Sequence, residues 1–261
     1  MCYICHARRG KYSMEDVGGL KKEQKGINGY LACERWQIFA LMMLTGGFFG
    51  AFTYSIRGGV FCNAQTGNFV LLAMALGQGN WRHGLYYLIP ITAYLLGAFV
   101  SEAAERRNGS LRFIRWETAL VLFEMAAVLF LGFLPEEAPV QITQVLINFI
   151  CSMQYNTFRQ AQGIPMATTF CTNHIRQVGI SIYGALFREE GRTAHLHKML
   201  AHLGMLLVFV AGGAASAFLC GRFLGRAIWF AEIPLGIALI DLLWADLGKE
   251  RGSLNRTPHG Y

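Results

Sequence analysis

Two short polar stretches, each cut into an apolar run, hold the residue types best suited to contact a solute. The first is Asn63-Ala64-Gln65-Thr66-Gly67-Asn68 and the second is Ala167-Thr168-Thr169-Phe170-Cys171-Thr172-Asn173-His174. Each follows a break containing glycine (Gly58-Gly59 in one, Gly163 and Pro165 in the other) and then continues as a helix-like run. A helix that begins inside a membrane presents free N–H groups and partial positive charge to whatever lies before it. Inverted-repeat transporters build substrate sites from paired discontinuous helices of this kind. Gln65, Thr66, Gly67, Asn68, Thr169, Thr172, Asn173 and His174 are therefore the candidate solute-binding residues. They are mostly neutral donors and acceptors, which suits a small polar or weakly anionic solute. A second reading uses the same residues as helix glue, because Thr and Asn hydrogen-bond across helix interfaces and Thr66 or Thr172 can cap a helix.

Ionisable residues within apolar runs are costly and mark function by default. Glu124, Arg176 and Asp241 meet that description, and Glu124 with Arg176 is a candidate ion pair. Glu102, Glu117 and Glu232 lie nearer segment ends and are expected to face head groups or water. His195, His197 and His202 read as an interfacial stretch beside Lys198 rather than a metal cluster. Cys2-Tyr3-Ile4-Cys5-His6 matches the haem-attachment pattern. It stands at the N-terminus with no export signal before it and with no second ligand pair for zinc, so no metal or cofactor is expected. No nucleophile elbow, zinc-protease helix or phosphate loop occurs, so the chain does not read as an enzyme.

The elements that must position these residues are hydrophobic. Apolar residues make up 54% of the chain and charged ones 15%, against about 25% charged in a soluble domain. The net charge of +7 belongs to basic runs between apolar segments, where it sets orientation and meets anionic lipid. Nucleic acid is not an expected partner, since no basic segment is long enough to fold as a reader. Eight apolar segments follow from the helical runs and their Gly, Pro and charged boundaries, at about 35–57, 62–78, 83–105, 115–134, 139–160, 167–187, 197–223 and 226–247. Pro135 and Pro139 mark a seam. The expected organisation is a cytoplasmic basic tail 1–34, a first membrane repeat 35–134, a second repeat 135–247 and a cytoplasmic tail 248–261.

The halves resemble each other, since Arg57 and Arg159 each close an apolar helix and each polar stretch comes next. Basic residues place the N-terminal tail, the loop with Arg106, Arg107, Arg112 and Arg115, the loop with Arg188, Arg192 and Lys198, and the C-terminal tail on one side. The loop with Glu136 and Glu137 has no Lys or Arg and belongs on the other side. Eight crossings would reverse these assignments. Six crossings with two re-entrant segments satisfy them, and three crossings per half make the repeats inverted. The fold class is thus all-α, a polytopic helical membrane protein with about six transmembrane helices and two short broken or re-entrant ones.

Phe61-Cys62-Asn63-Ala64-Gln65-Thr66-Gly67-Asn68 resembles the A-Q-T-G-N signature of the YoaK family of bacterial membrane proteins, whose domain has no assigned function. Ser152-Met153-Gln154 with Phe158-Arg159 is similar to its M-Q-x-x-x-F-R stretch, and Ala167-Thr168-Thr169-Phe170-Cys171-Thr172 to its T-T-x-x-T stretch. The resemblance runs from about residue 38 to 246. This chain departs from the pattern where the second T-G-N falls on Thr172-Asn173-His174, which puts a titratable ring in place of an amide. The resemblance implies a multi-pass protein of the bacterial plasma membrane, with both termini cytoplasmic by the loop charges. The leading functional expectation is a channel or transporter for a small polar or anionic solute. The alternative is a non-transporting sensor or assembly component. Membrane lipid is the expected partner, with a small-molecule solute and a homo-oligomer as further candidates.

Overall fold

The computed structural model describes residues 29–108, 110–111, 113–187, 191–254, 256 and 258. The haem-like pattern at Cys2–His6 and the basic residues of 1–28 lie outside the described residues. Among those described, the helices are α1 Trp36–Ile56, α2 Gln65–Gly77, α3 Trp81–Asn108, α4 Trp116–Gly132, α5 Val140–Thr157, α6 Thr172–Phe187, α7 Arg192–Phe223 and α8 Glu232–Trp244. Two hairpins join them: β1 Ser110–Leu111 pairs with β2 Ile114–Arg115, and β3 Gln160–Ala161 with β4 Ile164–Pro165. Each of the eight expected segments holds one helix.

Three details differ from the sequence reading. The second polar stretch stays unwound through Cys171, so α6 begins only at Thr172. The last segment is composite, with a 3-10 stretch Leu224–Ala231 before α8 and a π turn Ala245–Lys249 after it. Leu31–Glu34, expected in the tail, are folded and buried. There the Glu34 carboxylate accepts the Leu31 N–H at 2.9 Å and the Gln160 side chain at 2.8 Å. The turn between β3 and β4 carries Gln162 at φ 45° and Gly163 at φ 81°, the double left-handed pair of a type I′ hairpin.

Trp36–Ile56, Trp81–Arg106 and the long run Arg192–Lys249 are long and apolar enough to cross a membrane. The outer helix faces carry Phe99 at 71%, Leu207 at 71% and Ile240 at 70% exposure, positions where a water-facing helix carries charge. The chain is a helical membrane protein.

Side-chain contacts fix which helix ends lie together. At one end, Arg35 pairs with Asp241 at 3.3 Å, Arg115 with Asp246 at 3.3 Å, and Gln160 with Glu34. This end gathers the starts of α1 and α4, the exit of α5 and the end of α8. Arg159 joins α5 to the last turns of α3 through Glu102 at 3.1 Å and Glu105 at 3.7 Å. At the other end, Arg57 pairs with Glu136 at 3.3 Å, and the Gly225 N–H donates to the same carboxylate at 2.7 Å. The exit of α1, the α4–α5 loop and the turn after α7 meet there. α1, α3, α4, α5, α7 and α8 therefore run from end to end in alternating directions.

The helices pack in pairs. α1 lies along α7 and α5 along α3, while α2 packs on α3 and α6 on α7. Glycine sets both long crossings: a Cβ on Gly212 of α7 would strike the Leu44 carbonyl of α1, and one on Gly97 of α3 would strike the Phe149 carbonyl of α5. Such bare positions let helix backbones approach in lipid.

Arg115 is the most heavily tied charge at the first end. Its side chain is 3% exposed and that of Asp246 is 1%. The guanidinium also donates to the carbonyls of Ser253 at 2.6 Å and Arg256 at 2.8 Å, and Thr118 donates to Asp246 at 2.6 Å. Removing one member of such a buried pair leaves the other uncompensated, at a cost of about 3–5 kcal/mol. Asp246→Ala is therefore expected to lower thermal stability in detergent by about 3 kcal/mol or more, whereas Glu137→Ala, at an exposed loop residue, leaves the melting curve unchanged.

Candidate functional site

The two polar breaks converge on the middle of α1. The chain leaves Arg57 through Gly58 (φ 85°) and Gly59 (φ 68°) and turns back inward. By Asn63 it has reached the Gly46 carbonyl, to which the Asn63 amide donates at 3.1 Å. α2 then returns toward the end it came from: Ala75, near its close, packs with Val60 and Tyr87, and Gly58 lines one cavity with Asn80 and His83. Thirteen residues of α-helix span about 20 Å, less than the roughly 30 Å of a hydrocarbon core. From the opposite end, the chain after β4 brings the Thr168 carbonyl and the Thr169 Cα against Gly46. α6 then runs back toward its own end, where Gly184 lies against His195 of α7.

Where the breaks meet, a cavity of about 380 Å³ is lined by Asn63, Ala64, Gln65 and Thr66 from the first, Phe170 and Thr172 from the second, and Tyr94 of α3. Gln65 opens α2 and Thr172 opens α6, so the starts of two helices face one space. No side chain caps the start of α2. The lining holds no charged residue. The sequence reading named Gln65, Thr66 and Thr172 for this site; Asn63, Tyr94 and Phe170 are additions. Asn63 shares the first motif and was legible. Phe170 likewise stands inside the second polar stretch, whereas Tyr94 carries no local signal and is found only through packing.

The other five candidates lie elsewhere. Asn68 is fully buried and clasps the Phe61 peptide, accepting its N–H at 3.1 Å and donating to its carbonyl at 2.7 Å. The same amide donates to the Gln65 side-chain Oε1 at 3.0 Å, and Gln65 Nε2 donates to Asn148 Oδ1 of α5 at 2.8 Å. Gly67 lies against the Phe61 ring, where a Cβ would crowd it. Thr169 is buried against α1. Asn173 lines a separate cavity of about 330 Å³ with Tyr155, Asn156 and Arg159.

His174 points away from the shared cavity to a partner that the sequence reading placed at the interface. Its Nε2 is 2.8 Å from the Ala167 carbonyl and its Nδ1 is 3.0 Å from Nδ1 of His202. The carbonyl only accepts, so Nε2 of His174 holds the hydrogen, and in the neutral pair His202 Nδ1–H donates to His174 Nδ1. Both rings are buried, so His202 is a core residue tying α7 to α6. Separations of 28 residues leave no local trace in sequence.

The three charged candidates lie apart from one another. Asp241 is paired with Arg35 near the end of α8. Arg176 is exposed on α6, while Glu124 is fully buried in α4 with neither carboxylate oxygen bonded; they form no pair. Glu117 is buried rather than facing head groups, because α4 turns its first-turn carboxyl into the core face.

Asn68→Leu would leave the N–H and carbonyl of Phe61 without the partner that Asn68 supplies. Each buried orphan costs about 1–3 kcal/mol. The expected outcome is a loss of about 2–4 kcal/mol in chemical or thermal unfolding of the detergent-solubilised protein.

Searches among curated proteins and among solved structures returned no match. Among protein families, residues 38–240 match the one described as "Protein of unknown function (DUF1275)", which is also known as the YoaK family. The matched span opens within α1 and closes within α8, so it takes in both breaks and the cavity between them, and the chain belongs to the YoaK (DUF1275) family.

Proposed function

We propose that this protein is a channel or transporter for a small polar or anionic solute, with six membrane crossings and two re-entrant helices arranged as inverted halves. The observation that carries this reading is the single cavity shared by Gln65, Thr66 and Thr172, where two helix starts meet. Unwound backbone at membrane depth is tolerated where protein or a wet cavity satisfies it. Helix starts offer N–H groups and partial positive charge, and the lining offers neutral hydroxyls and amides. That chemistry holds an anion or a polar molecule and gives a cation no counter-charge. It involves no reaction, so we read the chain as a non-enzyme.

The inverted arrangement draws support from the exchange of contacts between halves. α1 on α7 is answered by α5 on α3, and α2 on α3 by α6 on α7. Arg57 and Arg159, equivalent in the repeat, meet carboxylates at opposite ends. With the basic end placed in the cytoplasm, both termini lie there and the Glu136 loop lies outside. A tag inserted at Glu137 is expected to be reached by an impermeant reagent from outside intact cells, and one at Phe113 only after permeabilisation; the reverse pattern would sink the orientation.

A non-transporting role is favoured by one observation, namely that Asn63, Asn68, Gln65 and His174 all bond to protein groups. Thr66 separates the readings, since it is exposed into the cavity and no fold contact depends on it. In proteoliposomes, swelling would be followed with formate, nitrate, urea and glycerol as probes. Thr66→Val is expected to change the flux of at least one probe severalfold while leaving the melting temperature unmoved. Absence of flux for every probe with wild-type protein would count for the helix-packing role.

A further inference from the structure

Glu124 stands alone in the interior. It is fully buried, at the ninth position of the seventeen-residue α4, and both of its oxygens lack hydrogen-bond partners. The charged groups on elements packed against α4 all lie toward helix ends. Arg226 and Glu232 lie toward one end, and Asp241 with Arg35 and Asp246 with Arg115 lie toward the other. On α3, Glu102, Glu105 and Arg106 cluster by Arg159, and α5 carries no charged residue at all. Glu124 lies beside α5, whose Phe149 ring packs against the ring of Phe123 at 6.3 Å.

An ionised carboxylate without a partner in such a place costs several kcal/mol. A neutral acid without a partner adds nothing to stability that a leucine would not exceed. A carboxyl that stabilises nothing and sits mid-membrane has the properties of a proton carrier. Its position links it to the cavity. Cys151 Sγ is 3.7 Å from Cys62 Sγ, next to cavity-lining Asn63, and α5 one turn earlier holds Gln65 through Asn148. α5 thus packs on α4 and touches both polar breaks, the first through Asn148 on Gln65 and the second through Tyr155 on Phe170.

We infer that Glu124 is a proton-exchange site within the membrane, loaded in the conformation seen here and emptied when α5 and the first break shift. In the step itself, the carboxyl O–H bond breaks, the proton passes to water, and the carboxylate later takes a proton back from water. Coupling of this step to solute movement rests on the cavity reading above, whereas the exchange itself does not.

Infrared difference spectroscopy of the full chain in lipid reads the site directly. Wild type is expected to show a carboxylic-acid C=O band that is lost in Glu124→Gln, shifts in D₂O, and falls severalfold between mildly acidic and mildly alkaline buffer. Glu124→Asp, which should move the band rather than remove it, serves if the glutamine variant does not fold. A Glu124 band that ignores both pH and D₂O, or no such band, overturns the proposal. A titrating band without probe flux keeps the proton site and removes the transporter. A static band with flux keeps the transporter and removes the proton.

Discussion

Everything at the centre of this molecule depends on Gly46 having no side chain. Its carbonyl is taken by Asn63 from one break, and its Cα face is covered by the Thr168-Thr169 backbone from the other. A Cβ there would strike the Thr168 carbonyl, and the second break would have to withdraw. The cavity exists because two unwound strands enter from opposite ends and stop against the same turn of α1. Gly47, the next residue, performs the matching task for α7, lying against the Phe209 backbone. One glycine pair thus sets both the depth of the breaks and the approach of α7 to α1.

Unwound backbone inside a bilayer must find partners, and here amide side chains supply them. Asn68 completes the Phe61 peptide and Gln144 donates to the Arg57 carbonyl at 2.6 Å, while Gln154 reaches a carbonyl within α1 itself, that of Met42, at 3.0 Å. Gln144 also reaches the Tyr86 hydroxyl. Long amides on α5 therefore hold the exit of α1 and its middle, while the short amides of the first break hold themselves. Polar residues that look like solute contacts in sequence are divided by this demand. Thr66 and Thr172 are left free for the cavity, and Asn68 and His174 are consumed by the fold.

The electrostatic design is split by depth. Paired charges occupy the two ends, where they fix which termini and loops lie together. The interior keeps a single unpaired carboxyl among the described residues of α4, with thiols and amides around the breaks. Surface ion pairs contribute little, but Arg115 with Asp246 is buried on both sides and anchors the C-terminal turns to the start of α4. That anchor explains why the segment beyond α8 is folded as π and 3-10 turns up to Ser253.

The class, the eight segments and the two breaks were legible in the sequence, because hydropathy acts residue by residue and needs no partner to be read. The sequence also singled out Glu124 on the principle that charge in lipid is costly. Tertiary structure alone decided which polar residues face a shared space. Gln65 and Thr172 meet although more than a hundred positions apart, His202 reaches His174, and Glu124 and Arg176 fail to meet. Such pairings come from helix rotation and from the approach that Gly46, Gly97 and Gly212 permit, and neither leaves a local mark in the chain.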